Sequence, residues 1–284
     1  CGNSMDNMVL TISPEAMANA GSNAVICMGD AYTVTDALAA NYSNIYWTTN
    51  GVGQLMNAST LTPTYVPAEG ESGNITLTLT AVGLSGCDNA SDFMVISINE
   101  PPVANAGPDA MTCIEEPYTV VGAYADNFSY LYWLTNGSGE LINDQTLAPT
   151  YIPAEGETGD VELILIVHGN TACGTINDTA VITVVNPPVV TAGPDGETCS
   201  TDLYTLNGAS AQNYSSVMWQ TSGNGIFDDP YALNPIYTPG SIDVQTGSVT
   251  LSITAFGFAN CPEAADAMIL TVYPVATASA GVDD

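Results

Sequence analysis

The chain has 284 residues, of which 30 are acidic, one is histidine and none is lysine or arginine, so its formal net charge at pH 7 is −30. Soluble chains ordinarily carry about a quarter charged residues, of both signs. Because no cation is available to meet a phosphate, the composition argues against binding of nucleic acid or anionic lipid. No apolar run reaches the ~18 residues of a membrane-spanning helix, which argues against direct membrane insertion.

A period of 86 residues organises the sequence. The three tryptophans, Trp47, Trp133 and Trp219, follow one another at this spacing. A fixed period indicates a tandem array, and a unit of about 86 residues can bury one modest core. We therefore predict three small domains of one type, although length alone would suggest two larger ones.

In chain order, we expect the given sequence to begin inside one repeat and to end inside another. Residues Cys1–Ile12 match Cys87–Ile98 in phase, so we expect residues 1–16 to be the C-terminal part of a preceding repeat. Residues 275–284 contain the sequence motif with which each unit begins, and we expect them to start a following repeat. The predicted full repeats are 17–101, 102–187 and 188–274. Their Pro-rich joints are only a few residues long, which favours a stiff array whose neighbouring repeats touch.

Each full repeat is predicted to be all-β. In the first repeat, apolar residues alternate with polar ones along Ala31–Thr35, Asn44–Thr49, Ile75–Ala81 and Met94–Ile98, and Gly-rich turns separate these runs. We therefore predict a tandem array of immunoglobulin-like β-sandwich repeats. The third repeat has two extra residues after Pro239, which we expect to lie in a loop.

Two aromatic residues per repeat are candidates for the core. A tryptophan on the third strand would fill the space between the sheets, and a sugar-binding surface position is the alternative. A tyrosine between two prolines would pack its ring and return its hydroxyl to backbone. The residues are Trp47, Trp133, Trp219, Tyr65, Tyr151 and Tyr237.

Periodic cysteines predict structural disulfides and an oxidising compartment. They are Cys1, Cys27, Cys87, Cys113, Cys173, Cys199 and Cys261. One pattern places a disulfide within each repeat, as in Cys27–Cys87. The other joins neighbours, as in Cys27–Cys173 and Cys113–Cys261. Opposite poles of a sandwich are ~20 Å apart for six-residue strands, and a disulfide needs Cα atoms within about 7 Å, so we favour the second pattern.

No catalytic, cofactor or metal site is predicted. His168 aligns with Val82 and Phe256, which indicates a half-buried strand position, and no serine or threonine has a positioned base. Aligned acids raise the possibility of calcium: Asp6, Asp92, Asp178, Asp266, Asp109 and Asp195. Calcium needs several converging oxygens, so we favour exposed carboxylates that bind no metal.

The motifs resemble a known family of repeats. Trp219–Gly225 and the Pro-x-Tyr-x-Pro motifs are similar to the immunoglobulin-like repeats of bacterial surface proteins, particularly the polycystic-kidney-disease type, although the phenylalanine of that family's turn is missing and cysteines are added. The segments Asn105–Asp109 and Asn234–Pro239 resemble sequences in the repeat arrays of giant adhesins of the Bacteroidetes, including gliding-motility adhesins. The resemblance implies secretion by the type IX route and a place at the cell surface.

These features favour a non-catalytic stalk or filament segment that holds an adhesive tip away from the cell. A glycan-binding module, using a loop aromatic such as Phe227, is the first alternative, and an accessory region of a secreted carbohydrate-degrading enzyme is the second. The expected partners are neighbouring repeats of the same chain, with surface glycans or other adhesin chains as further candidates.

Overall fold

The computed structural model describes residues 2–10 and 12–278. Cys1, Thr11 and residues 279–284 lie outside the described residues, and the last of these ranges is most of the segment predicted to start a following repeat. Residues 2–10 and 12–16 have no regular secondary structure, and the first strand begins at Met17. Within the described ranges, no helix has the length and apolar character that crossing a membrane requires.

Nine strands occur in each predicted repeat. In the first they are β1 (Met17–Asn19), β2 (Ala24–Cys27), β3 (Tyr32–Thr33), β4 (Leu38–Ala40), β5 (Tyr42–Thr49), β6 (Gln54–Met56), β7 (Thr64–Val66), β8 (Gly73–Gly83) and β9 (Ala90–Asn99). In the second they are β10 (Val103–Asn105), β11 (Ala110–Cys113), β12 (Tyr118–Thr119), β13 (Tyr124–Asp126), β14 (Phe128–Thr135), β15 (Glu140–Ile142), β16 (Thr150–Ile152), β17 (Gly159–Gly169) and β18 (Thr175–Val185). In the third they are β19 (Val189–Thr191), β20 (Gly196–Cys199), β21 (Tyr204–Thr205), β22 (Ser210–Gln212), β23 (Tyr214–Thr221), β24 (Ile226–Phe227), β25 (Ile236–Thr238), β26 (Ser248–Gly257) and β27 (Ala264–Tyr273), with a helix, α1 (Ser241–Thr246), before β26.

The same sheet arrangement occurs three times. The four-stranded sheets have the orders β2-β9-β8-β5, β11-β18-β17-β14 and β20-β27-β26-β23, and the three-stranded sheets are β3-β7-β6, β12-β16-β15 and β21-β25-β24. The opening strand of each repeat pairs antiparallel within its own repeat, and the next strand runs parallel to the last one. The fold is therefore all-β, an immunoglobulin-like β-sandwich array as the alternating pattern predicts.

Alternation along the two longest strands of each repeat builds its core. In β8, Leu77 and Leu79 are fully buried while Thr78 between them is partly exposed, and Met94 and Ile96 from β9 are fully buried as well. Because the side-chain period of a strand is two residues, a slip of one residue would turn this whole set toward water. Burial of the alternating positions thus fixes the strand register.

The third repeat differs from the prediction at its extra residues. Instead of a loop, the chain forms the helix Ser241–Thr246 directly after Gly240. The helix ends at Gly247, whose φ of 77° places it in the left-handed region that glycine adopts without strain. The helix carries a fully buried acid, Asp243. This side chain accepts a hydrogen bond from Tyr237, as described in the next subsection.

The described chain divides into two compact units by proximity of its backbone. One comprises the first predicted repeat with Tyr124–Tyr132 and Leu165–Asp178 of the second, and the other comprises the rest of the second repeat with the third. Because this division cuts through the second repeat, the boundaries 17–101, 102–187 and 188–274 stay a prediction from the sequence period.

Candidate functional site: tyrosine–carboxylate clamps and disulfide joints

The three tryptophans lie inside the repeats. Trp47, Trp133 and Trp219 are at most 4% exposed. Each indole N–H donates a hydrogen bond to a backbone carbonyl: Trp47 to Thr60 and Trp133 to Thr146 at 2.9 Å. A buried indole needs such a partner. These positions leave no exposed tryptophan ring to stack on a sugar.

The position of Phe227 also argues against the glycan-binding alternative. It lies in β24 instead of at a loop tip, and it is only partly exposed. Its ring centroid is 5.0 Å from that of Tyr237 and 6.0 Å from that of Trp219. The ring thus belongs to the core of the third repeat, because two aromatic neighbours cover it.

Each buried tyrosine is held in a clamp by a carboxylate six residues later. In the first repeat, Tyr65 is fully buried and its hydroxyl donates to Glu71 at 2.8 Å. The same hydroxyl accepts a hydrogen bond from Gly53 N at 3.0 Å. Glu71 in turn accepts from Val52 N and Ala68 N, at 2.8 and 2.9 Å. The clamp therefore ties together the two loops that flank the tyrosine.

The clamp recurs in the other repeats. Tyr151 donates to Glu157 at 2.7 Å, and Glu157 accepts from Ser138 N and Ala154 N. In the third repeat the acid is aspartate. Tyr237 donates to Asp243 at 2.7 Å, and α1 supplies this shorter side chain.

Close approach to the hydroxyl explains the Gly-x-Gly turns. A Cβ at Gly51 or Gly53 would overlap the Tyr65 hydroxyl, and one at Gly137 would overlap the hydroxyl of Tyr151. Only glycine lets the backbone pass this near. Sequence reasoning predicted that the tyrosine hydroxyl returns to backbone but missed the acid, although an acidic residue six positions after each tyrosine was a readable signal.

Hydrogen bonds set the ionisation of the clamp. Burial alone would raise the pKa of Glu157, but donation from Tyr151, Ala154 N and Ser138 N favours the charged form and holds that pKa below its usual value. Burial, together with the hydrogen bond to Glu157, raises the pKa of Tyr151 to about 12. Burial likewise raises the pKa of Tyr237 to about 12. In the second repeat the clamp is therefore a charged carboxylate acceptor with a neutral phenol as its donor.

Two disulfides join consecutive repeats. Cys27 bonds Cys173 and Cys113 bonds Cys261, each with Cα atoms 4.9 Å apart. These are the pairs that stacking of neighbouring repeats predicts. Disulfides within a repeat, such as Cys27–Cys87, do not form among the described residues.

Polar contacts surround both joints. At the first, Asn99 Nδ2 donates to Thr171 O at 3.1 Å. At the second, Asn260 Oδ1 accepts from Cys113 N at 2.8 Å, and Thr112 and Cys113 are each only 1% exposed. Each joint therefore combines a covalent bond with hydrogen bonds that fix its geometry.

Two of the cysteines that the sequence assigned to disulfides are free thiols. Cys87 is half-buried and Cys199 is exposed. The physical reason is that each disulfide uses one cysteine from each of two neighbouring repeats. Cys87 and Cys199 lie on the faces that have no neighbour with a matching cysteine among the described residues. Cys1 lies outside those residues.

Four of the six aligned acids, Asp92, Asp109, Asp195 and Asp266, accept hydrogen bonds from backbone N–H groups. Asp92 accepts from Ala20 N and Asp266 from Ala192 N, each at 2.8 Å, and the latter hydrogen bond lowers the pKa of Asp266. Asp109 accepts from Val181 N in the same way. Among residues 2–10 and 12–278, no group of three His, Cys, Asp or Glu side chains could hold a metal ion.

His168 has the partly buried strand position that its alignment predicts. Its ring stacks on Tyr130 with centroids 4.2 Å apart, and its Nδ1 lies 2.8 Å from the Thr175 hydroxyl. Packing and a hydrogen bond therefore account for this histidine without a chemical role.

No protein-family model matches the sequence. Among solved structures, the chain is similar to the I67–I69 fragment of titin, with 13% identity, a TM-score of 0.45 and coverage of 93% of this chain and 99% of that chain. It is also similar to Sidekick-1 immunoglobulin domains 1–5 (16%, 0.43, 93% and 60%) and to mouse cadherin-23 EC22–24 (14%, 0.40, 89% and 96%). Similarities this low identify neither a family nor an activity.

The clamp predicts a site-specific loss of stability. Replacing Glu157 by glutamine removes the charge that accepts four hydrogen bonds, and we expect the free energy of unfolding to fall by about 1–3 kcal/mol. The matched control is Glu155→Gln, which removes an exposed acid two residues away. Chemical denaturation followed by tryptophan fluorescence measures both. Equal effects of the two variants would contradict the clamp.

The raised tyrosine pKa values predict alkaline unfolding. A free tyrosine ionises near pH 10, whereas Tyr151 and Tyr237 ionise at about 12 in the folded chain. Their contribution to stability is therefore complete below pH 10 and is lost as pH rises from 10 to about 12. We expect the unfolding midpoint in urea to fall across this window, and Tyr151→Phe to reduce the slope. A slope that this variant leaves unchanged would be contrary to the assignment.

Proposed function

We propose that this chain is a structural stalk or filament segment of a large secreted cell-surface adhesin. In this role it spaces an adhesive tip from the cell and transmits tension, without catalysis. The observation that carries the proposal is the pair of disulfides between consecutive repeats, since a covalent link across each joint resists separation of the repeats. The parent resembles the giant adhesins of the Bacteroidetes, and the proposed location is extracellular, where disulfides persist.

The positions of the disulfides support a load-bearing role. The loop closed by Cys27–Cys173 overlaps the loop closed by Cys113–Cys261. Three stretches, residues 28–112, 113–173 and 174–260, therefore connect the two disulfides in parallel. When an oxidised chain is pulled from its ends, residues 113–173 form the shortest of the three and become taut first, so the two longer stretches cannot be drawn to their full length while the disulfides are intact.

Composition supports the same role. A net charge of −30 keeps neighbouring molecules apart in solution and lowers the tendency of strand edges to associate. The buried tryptophans and the packed Phe227 leave the repeats without the aromatic platform that the glycan-binding alternative named. The partners that this function needs first are other repeats of the same kind.

A stalk predicts an extended particle in solution. Each repeat should add ~35 Å along the array, judged from strands of about eight residues with their loops, so that three repeats measure roughly 100 Å. Small-angle X-ray scattering of the oxidised chain gives the maximum dimension and the cross-section. A compact globule of the same mass would count against the stalk.

Load bearing predicts how far the chain extends under force. Reduction frees residues 28–112 and 174–260 to stretch, and at ~3.4 Å per residue we expect the reduced chain to extend roughly 600 Å further than the oxidised one. Single-molecule pulling with and without a reductant measures this difference. The double variant Cys173→Ser, Cys261→Ser is the matched control and should extend fully without reductant. Equal extension of the oxidised and reduced wild type would refute this limit on extension.

A further inference from the structure

Four asparagines in this chain directly precede a glycine. Such a pair can modify itself, because the glycine N–H has no side chain beside it and can attack the side-chain amide of the asparagine. The attack requires that the N–H and the amide are free to approach each other. The four pairs are Asn50-Gly51, Asn136-Gly137, Asn207-Gly208 and Asn224-Gly225.

The pair in the first repeat is held in place at both reacting groups. Asn50 Oδ1 accepts a hydrogen bond from Thr76 N at 2.7 Å, on the neighbouring strand β8. Gly51 N donates to Thr49 Oγ1 at 3.0 Å. The amide and the N–H that would react with it are therefore each engaged with another group, and both hydrogen bonds must break before the attack.

The second repeat holds its pair in the same way. Asn136 Oδ1 accepts from Glu162 N at 2.8 Å. Gly137 N donates to Thr135 Oγ1 at 3.0 Å. The hydrogen bonds that shape this turn therefore also separate the two groups that would react.

Asn224 in the third repeat is fixed by the short helix α1. Its Oδ1 accepts from Ile242 N at 2.9 Å, and its Nδ2 donates to Ser241 Oγ at 3.2 Å. Both polar atoms of the amide are thus bound to the helix. The amide cannot turn toward Gly225 without breaking these contacts.

Asn207-Gly208 lacks this protection. The pair forms the turn between β21 and β22, and both residues are exposed. Among the residues that the structure describes, no group hydrogen-bonds to the Asn207 side chain or to Gly208 N. The chain is anchored on either side of the turn, since Leu206 N donates to Pro235 O at 3.0 Å and β22 pairs with β19. Both reacting groups are therefore free inside an otherwise ordered repeat.

We propose that Asn207 is a site of spontaneous deamidation in the folded chain, and that hydrogen bonds protect the other three pairs. Gly208 N attacks Cγ of Asn207 and forms a new C–N bond. The bond from Cγ to the amide nitrogen breaks, and that nitrogen leaves as ammonia with the proton that Gly208 N has lost. Water then opens either carbonyl of the resulting succinimide, which gives aspartate or isoaspartate.

The conversion changes the turn in two ways. It adds one carboxylate, so the formal net charge of the chain goes from −30 to −31. The isoaspartate product also lengthens the backbone by one carbon, at a place with little room: a Cβ on Gly208 would lie 2.9 Å from Pro194 Cδ. The inference goes beyond the stalk, because it depends on local hydrogen bonds and not on what the array carries.

The experiment follows the four pairs in parallel in the full, oxidised chain. The protein is kept at physiological temperature in a mildly alkaline buffer, and samples taken over time are cleaved by a protease specific for aromatic residues. Cleavage after Tyr204 and Tyr214 releases residues 205–214, which contain Asn207 and no other Asn-Gly pair. We expect this peptide to show the mass gain that replacement of an amide by an acid produces, while the peptides with the other three pairs stay unchanged.

Unfolding supplies the matched control. In urea with a reductant, the protecting hydrogen bonds are lost, so we expect the other three pairs to deamidate at rates comparable to that of Asn207. The variant Asn207→Ser has no amide to lose. In the folded state it should lack the first acidic species that isoelectric focusing detects in the wild type, and an isoaspartyl methyltransferase should label the wild type but not the variant.

Three results would overturn the inference. One is deamidation of any other Asn-Gly pair as fast as Asn207 in the folded chain. Another is an Asn207 that stays intact in the folded chain over the period in which the unfolded chain reacts. The third is a preference for Asn207 that persists in urea, since this would assign the difference to the local sequence. Unchanged tryptophan fluorescence shows that Asn207→Ser is folded. None of these outcomes depends on the scattering and pulling results that test the stalk.

Discussion

The absence of lysine and arginine decides how this protein holds its carboxylates. A buried or partly buried acid ordinarily takes a cationic partner, and none exists here. The acids instead accept from backbone N–H groups and from tyrosine hydroxyls, as Glu71 does in the first repeat and Asp243 in the third. At Glu71 these hydrogen bonds favour the charged form without a counter-ion. Some of the acidic side chains therefore help to hold the fold together, in addition to giving the surface its negative charge.

Small repeats make these interactions necessary. A unit of about 86 residues buries a modest core, so the long loops beside Tyr65 and its equivalents need another connection to the sandwich. The clamp provides it within a repeat, and the disulfides provide it between repeats. Among the described residues, no buried side-chain nitrogen or oxygen lacks a hydrogen-bond partner. The same few contacts, repeated three times, stabilise the loops and the joints.

The disulfides between repeats bear on both the stability and the proposed function of the chain. The Cys27–Cys173 and Cys113–Cys261 bonds limit the freedom of the unfolded chain and also limit how far the chain can be stretched. The polar contacts of Asn99 and Asn260 orient the neighbouring backbone. An array linked in this way cannot be drawn to the full length of its chain while the disulfides are intact, which is the property that the proposed stalk needs.

Periodic patterns in the sequence account for most of the fold that could be predicted from it. The spacing of Trp47 and its equivalents revealed the repeat, and alternation such as that of Leu77 and Leu79 predicted buried strands, because both patterns depend on neighbours along the chain. Reasoning from the poles of a sandwich favoured Cys27–Cys173 and Cys113–Cys261, and the tertiary structure decided between these pairs and pairs within a repeat, since that choice depends on which faces of folded repeats meet. The tertiary structure also placed Asp243 on a helix within hydrogen-bond distance of Tyr237 and packed Phe227 against the core. The disulfides join segments that are distant in sequence, and the clamp depends on how its loops fold, so no local pattern specifies the geometry of either.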